Sequence, residues 1–571
     1  MQQWQRQPYA RIRQGGADAP YKEIRVINPA RGLNLLIADI LANDKEATQG
    51  SKNIEYVEGG AARKRMGYTL VGDGAPLATA PRGLGSFISE ADNYPITCDG
   101  DTLKKLSGGS WSALSGVTLD ATANISMTSM FEKTYAWDGV SGGVVFNGTT
   151  VTRPGTMPKA KFSVVYKGFH VASGVDGQPF RLYFSALTNT SVFTNNTVPG
   201  AGDVGVNDAT QVPGATVFSG TDTTVQAVDI NKSDGQSVVG LGFFQDVLIV
   251  FKENSIYQLY FNETGGFVVE RISSSYGAVC HGAIASVEND CYFLTDKGVY
   301  VLGNEPNYYA SIRTNELSSR VKTLLQRINP SQYERCRGYY TDDRYFLSVP
   351  LDTSETCNAM IVYDRRFYAW AYWTNVSAND MLVFKDKDGD GAKHFYFADY
   401  DSANVQEFIP GTYSDNGVGI DAVFITRAFE GKVVDREKYW YVLRPIFRLT
   451  TGAVQVSYIT ENGTEGQPVS INPAAVGGLG VDQFGALLLG TSQQDTYTDS
   501  DLGLPGSTGA TESSETDYTH TVYDVGVNLD SRTLKVKFEN SGVDETFTLL
   551  GWAILYQEKD HARFDGAYTV R

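Results

Sequence analysis

The stretch FQDVLIVFKENSIYQLYF, Phe244 to Phe261, decides how the rest of the chain is read. Val247 to Phe251 is an unbroken apolar run, Lys252, Glu253, Asn254 and Ser255 form a polar tetrad, and Ile256 to Phe261 is a second run. β-Branched and aromatic residues on both sides of a short polar break predict a hairpin. The tetrad is then read as a turn rather than as a charged site.

The same logic recurs along the chain. DCYFLTDKGVYVLG (290–303) turns at Asp296-Lys297-Gly298, AMIVYDRRFYAWAYW (359–373) at Asp364-Arg365-Arg366, and HFYFADYDSANVQEFI (394–409) around Asp399 to Ala403. Upstream, ITCDGDTLKKL (96–106) turns at Asp99-Gly100 and VVFNGTTV (144–151) at Asn147-Gly148. Such Asp- and Asn-rich pairs supply the positive φ, or the side-chain-to-backbone bond, that a tight connection needs.

These hairpins are spaced roughly 40 to 50 residues apart, a period that marks the blades of a β-propeller. The reading is an all-β chain in which residues 81–410 form a six- or seven-bladed β-propeller. A large β-sandwich or a string of small β-domains competes with it, because no WD or kelch signature accompanies the repeats.

Two insertions interrupt the period. Thr188 to Asp234 is rich in Thr, Asn, Gly, Ser and Val and reads as an extended loop with a few strands of its own. ELSSRVKTLLQRI (316–328), within an insertion at 316–330, places Leu317, Val321, Leu324, Leu325 and Ile328 at helical spacing. That predicts one amphipathic helix, packed on a blade edge or a neighbouring subunit.

After about 411 the character shifts. KYWYVLRPIFRL, AVQVSYI, TLKVKFEN and FTLLGWAILYQE alternate like half-buried strands around a Gly/Ser/Thr/Asp stretch at 473–520. Residues 411–571 are therefore expected to form a β-sandwich-like domain with a flexible loop near 473–520. Residues 1–80 read as an N-terminal arm and entry segment that docks or contributes to the first blade, with a short helix near Asp44 to Lys52 followed by RKRMGY (63–68).

At 571 residues the chain exceeds what one core organises. It is 42% hydrophobic and 12% aromatic, and 65 acidic against 48 basic residues give a net charge of -17. An acidic balance of that size argues against a basic nucleic-acid clamp. The arm MQQWQRQPYARIRQGG is the exception, with Arg6, Arg11 and Arg13 beside Trp4 and Tyr9 and no acid. It is expected to pack on a partner subunit, with direct phosphate contact as the alternative. No apolar run approaches the roughly 20 residues of a membrane span, and the first 30 residues lack a signal-peptide apolar core. The five cysteines, Cys98, Cys280, Cys291, Cys336 and Cys357, show no CxxC pair and read as reduced, buried small hydrophobes, with a Cys280–Cys291 bridge as the alternative.

Chemistry is sparse. The five histidines show no metal-ligand spacing, and P-loop and strand-associated GxGxxG motifs are missing. SGGSWSALSG (107–116) fits a strand-opening turn, and TDDRYF reads as loop charge. The many N-x-S/T triplets reflect Asn- and Thr-rich turns. DKDGDG sets Asp386, Asp388 and Asp390 at the spacing of the first half of a calcium loop, but its twelfth position, a bidentate Glu in an EF-hand, is Phe397. A hairpin turn is the favoured reading there and a weak calcium site the alternative. No catalytic residue and no cofactor is assigned.

The run INPARGLNLLIADILANDKEATQGSKNIEYVEGGAARKRMGY (27–68) resembles the opening of phage head-to-tail stabilisation and tail-nozzle proteins. The matching positions are Gly32, Leu33, Asn34, Asn53, Arg65 and Gly67. RLYFSALTN (181–189), residues 233–261, residues 318–350 and residues 534–558 are similar to later parts of the same family. The resemblance implies a non-enzymatic structural protein of the phage tail, assembled in the host cytoplasm. It also implies a β-propeller subunit of a sixfold ring below the portal and adaptor, enclosing the channel that retains packaged DNA and releases it at ejection. Tail fibres or spikes are possible further partners. Six copies carry about -102 charges, and an acidic lumen would repel duplex DNA and let it slide without sequence-specific binding. The alternatives are a receptor- or glycan-binding propeller of a tail fibre and, third, a propeller glycoside hydrolase, which needs a facing carboxylate pair.

Overall fold

The computed structural model describes residues 21–72, 77–185, 203–204, 226–261, 267–287, 289–304, 312–386, 391–433, 436–448, 452–472, 494–497 and 520–559. The described chain is all-β and divides into many small antiparallel sheets. In the decisive stretch, Val247–Lys252 pairs antiparallel with Ile256–Phe261 around Glu253 to Ser255, within a sheet completed by Val238–Phe244 and Phe267–Ser273. The other five hairpins also form where their turn residues place them.

Why these strands are apolar without a break is visible in their packing. Leu248 and Val250 enter one buried cluster with Phe169, Val171 and Val228 of the preceding sheet, whereas Ile249 and Phe251 enter another with Cys291, Phe293 and Leu302 of the following one. Successive side chains point to opposite faces of a sheet. A strand covered on both faces therefore needs apolar residues at every position. Each such side chain contributes about 1.5–3 kcal/mol of burial.

Seven sheets follow one another along the chain in this way. They begin with Leu84–Ile88, Ser126–Met130, Phe162–Tyr166, Val238–Phe244, Ile284–Val287, Arg337–Thr341 and Ala378–Lys385. Each of these first strands neighbours the next, and Ala378–Lys385 neighbours Leu84–Ile88. The unpaired backbone edge of a first strand is a liability for aggregation, and side chains from adjacent sheets cover it. The Leu84 N–H donates to Asp380 (2.8 Å), Thr134 Oγ1 to the Ser86 carbonyl (2.8 Å), the Leu241 N–H to His281 Nδ1 (3.3 Å) and the Val383 N–H to the Tyr339 hydroxyl (3.0 Å).

The last of the seven sheets is finished from the other end of the sequence. Gly67–Leu70 pairs antiparallel with Asn404–Ile409. Immediately before it, Ile54–Val57 and Ala61–Lys64 form a hairpin whose second strand joins Thr548–Glu558, and Lys22–Ile27 lies along that same C-terminal strand. Lys438–Arg448 flanks Thr548–Glu558 in an eight-stranded sheet. A four-stranded sheet, Ala422–Ile425, Leu534–Asn540, Val454–Thr460 and Val469–Ile471, supplies further residues to the same core. Phe424 and Phe538 of the smaller sheet lie 6.0 and 5.9 Å, between ring centroids, from Trp552 of the larger.

Three expectations change. No helix forms at Asp44 to Lys52; the Asn43 carboxamide accepts the Lys45 N–H and the Glu46 carboxylate accepts the Asn43 N–H, so side chains hold a turn in place of a helical ladder. The helix at 316–328 shrinks to the single α turn Lys322–Leu325 after a 3-10 turn, Ser319–Val321. Ser318 is committed to the Val299 N–H and caps nothing, and Asn329-Pro330 ends the segment, although Val321, Leu324, Leu325 and Ile328 are buried as expected. Third, Lys252 is no turn residue. It closes its strand fully buried, with Nζ donating to Asp234 (2.7 Å) and to the Asn231 carbonyl (2.9 Å).

Most of the insertion at 188–234 and most of the loop at 473–520 lie outside the described residues. Within them, Asp203–Val204 runs parallel to Gln226–Ile230, and Gln494–Tyr497 pairs with His520–Tyr523.

Candidate interaction surface

The residues that carry chemistry in sequence are not brought together. Asp386 lies in the connection between Ala378–Lys385 and Lys393–Asp399, and Asp388 and Asp390 lie outside the described residues. Among the described residues no group of three or more His, Cys, Asp or Glu side chains is arranged to hold a metal ion. His170 is buried against Tyr135 and Trp137 and meets Ser163 Oγ at 2.8 Å, whereas His394 pairs with Glu407 at 2.6 Å. Trp111 packs into a hairpin and donates to the Val71 carbonyl (3.4 Å). Asp342 and Asp343 form an exposed turn with positive φ. All five cysteines are free and buried, so Cys280 and Cys291 are not bridged. Burial pushes the Cys98, Cys280 and Cys357 thiols up to about 11, which keeps them protonated.

The buried polar groups are used for architecture. Asp99, Ser173, Lys252, Thr295 and Asp399 all end the second strand of a sheet, and all are buried. Each ties a neighbouring connection. Asp99 accepts the Ala78 and Thr79 N–H groups, Ser173 donates to the Arg181 carbonyl, Thr295 accepts the Lys297 N–H, and Asp399 accepts the Asp401 N–H. Lys252 does the same from the opposite charge, assisted by the Phe180 and Tyr257 rings.

The densest polar cluster joins the N-terminal segment to both halves of the molecule. Arg65, fully buried, makes a two-point ion pair with Asp415 (2.9 and 2.6 Å) and donates to Asn53 Oδ1 (3.1 Å) and to the Thr374 carbonyl (3.1 Å). Asn53 bonds the Thr374 side chain and backbone (both 2.8 Å) and the Asp421 carbonyl (2.8 Å). Next to Arg65, Lys64 reaches Asn540 (2.9 Å) and the Gly542 carbonyl (2.8 Å) in the C-terminal sheets, and burial lowers its ammonium to about 8. Two glycines are sterically required here. A Cβ on Gly32, whose φ is +82°, would lie 2.5 Å from the Trp370 nitrogen, and one on Gly67 would lie 2.0 Å from the Ser414 carbonyl oxygen.

Among the described residues, one surface feature suited to a partner lies beside this junction. Residues 34–46 form one wall of a groove of about 680 Å³ whose other walls include Ser319, Arg320, Arg427 and Glu430. The loop is fixed: Asn34 bonds Glu46 (2.9 Å), Arg427 donates to the Ile40 carbonyl (2.9 Å) and pairs with Asp44 (2.5 Å), and Lys535 pairs with Asp39. Yet Leu36, Ile37 and Leu41 are 54%, 39% and 73% exposed. The signal available in sequence is the run LNLLIADIL, whose apolar residues outnumber what one buried face would take.

No protein-family model matches the chain, and no curated protein does. Solved structures that it is similar to include the computationally designed Ika8 protein (9% identity, 60% of this chain and 99% of that one, TM-score 0.31) and apo AztD from Citrobacter koseri (13%, 57% and 92%, 0.30). A third is an exo-beta-1,3-galactanase from Phanerochaete chrysosporium (10%, 86% and 100%, 0.23). Likeness at these TM-scores supports no argument about this chain.

Proposed function

We propose that the chain is a non-enzymatic structural subunit of a phage tail, forming with copies of itself a sixfold ring around the channel through which DNA is held and released. In this reading the seven sheets are the blades of a closed β-propeller and the C-terminal sheets form a β-sandwich. One observation carries the reading: the positions of the family resemblance are the positions of the junction. Gly32, Asn53, Arg65 and Gly67 hold the N-terminal segment against both halves, Leu33 donates its N–H to the Trp370 carbonyl (2.7 Å), and Asn34 fixes the groove loop. Those residues serve assembly of the fold, as a load-carrying ring subunit requires. The overall charge of -17 suits a channel wall that repels DNA.

Native mass spectrometry of the purified chain should find a closed oligomer, and electron micrographs should show rings with a central opening. A stable monomer, together with virion images placing the chain at fibre tips, contradicts the proposal.

A further inference from the structure

We propose that the groove beside Leu36, Ile37 and Leu41 is the seat of this chain's own N-terminal arm, residues 1–20. Three exposed apolar side chains on a loop held by ion pairs form a patch that water does not favour. The groove's charges are matched except at one point. Arg427 pairs with Asp44 and Arg320 with Glu46, whereas Glu430 makes no ion pair among the described residues. The arm has the complementary chemistry, with Trp4 and Tyr9 to cover the apolar side chains and Arg6, Arg11 and Arg13 to meet the carboxylate.

The exit point of the arm selects the occupant. The Tyr21 ring packs on Tyr441 with centroids 4.8 Å apart, and Lys22 pairs with Glu558. Glu558 also accepts the Lys432 N–H (3.2 Å), two residues from the groove wall at Glu430. Twenty residues span up to about 66 Å when extended, far more than that separation demands. A short tether also holds its end at an effective concentration on the order of millimolar, so the arm meets its own groove before another copy's. The sequence alone suggests a partner subunit as the arm's contact; the exit beside Glu430 points to the same chain.

The test is photo-cross-linking of the full chain with p-benzoylphenylalanine in place of Leu41, and separately of Ile37, both surface positions outside the core. Cross-linked peptides joining these positions to residues 1–20, in a product that runs at single-chain mass on a denaturing gel, are expected. E430Q should lower their yield about two- to fivefold, the range of an exposed ion pair. Cross-links to residues 1–20 only at two-chain mass assign the groove to a neighbouring copy's arm and overturn the proposal. Cross-links to other segments alone, or none, also overturn it.

Discussion

The seven-sheet array and the C-terminal sheets are built from the same kinds of strand but by opposite routes. In the array nearly every pairing joins strands that follow one another in sequence, as Val247–Lys252 and Ile256–Phe261 do. In the C-terminal sheets Lys22–Ile27 pairs with Thr548–Glu558, and the Lys22 to Glu558 ion pair closes a sequence separation of 536. Loop-closure entropy rises only slowly with length, so the long pairings cost little in stability once the rest has formed. Their cost falls on the order of assembly, because the array needs only local contacts. The exception proves informative: Gly67–Leu70, which completes the seventh sheet, couples the local region to the non-local one.

Cutting that coupling should have the largest effect. Arg65→Met leaves the Asp415 carboxylate buried without its two-point partner and removes one of the two donors to Asn53 Oδ1, and a buried pair broken on one side costs about 3–5 kcal/mol. Urea unfolding should show the C-terminal sheets melting before the array. If both still melt together at the wild-type midpoint, the junction is not what couples them.

A smaller effect isolates the array. Burial, aided by the Arg337 guanidinium, pushes the His281 imidazole down to about 4. The unfolded chain therefore takes up a proton near pH 6.5 that the fold refuses until about pH 4. The resulting stability is complete above pH 6.5 and is lost as pH falls toward 4, by on the order of 3 kcal/mol. Burial raises the Asp380 carboxyl, which acts in the opposite direction, so the difference between wild type and His281→Asn is the quantity to read. Asn keeps an acceptor for the Leu241 N–H. Urea midpoints against pH should converge for the two proteins at acid pH, separate as pH rises from about 4 to 6.5 and hold a constant gap above that, for the array transition alone; curves parallel over the whole range would assign the pH dependence elsewhere.

The same contrast explains what was legible in sequence. Hairpin turns at Asp99-Gly100, Asp296-Lys297-Gly298 and Asp364-Arg365-Arg366 announce themselves because turn chemistry is local. Lys252 looked like part of such a turn, since nothing near it in sequence names Asp234 as its partner or Phe180 and Tyr257 as its cover. The pairing of residues 22–27 and 61–64 with the C-terminal strand has no local trace either. Alternation in IEYV or TLLGWAILYQE specifies a face and leaves the neighbour open. The turn at 43–46 misleads in the same way, because the Asn34 to Glu46 bond that stabilises it is also invisible to periodicity. Of the groove, the apolar residues could be read from LNLLIADIL, but their exposure depends on Arg427 and Lys535, nearly four hundred and five hundred residues away.

Hydrogen exchange tests the junction most directly. Amides of Ala61–Lys64 and Gly67–Leu70 should be as protected as those of Asn404–Ile409 and Thr548–Glu558, because each is paired with one of those strands. All four should also open together as conditions approach unfolding. Exchange of residues 54–70 within seconds, with Asn404–Ile409 still protected, would contradict the claim that the N-terminal segment fastens the two halves of the molecule.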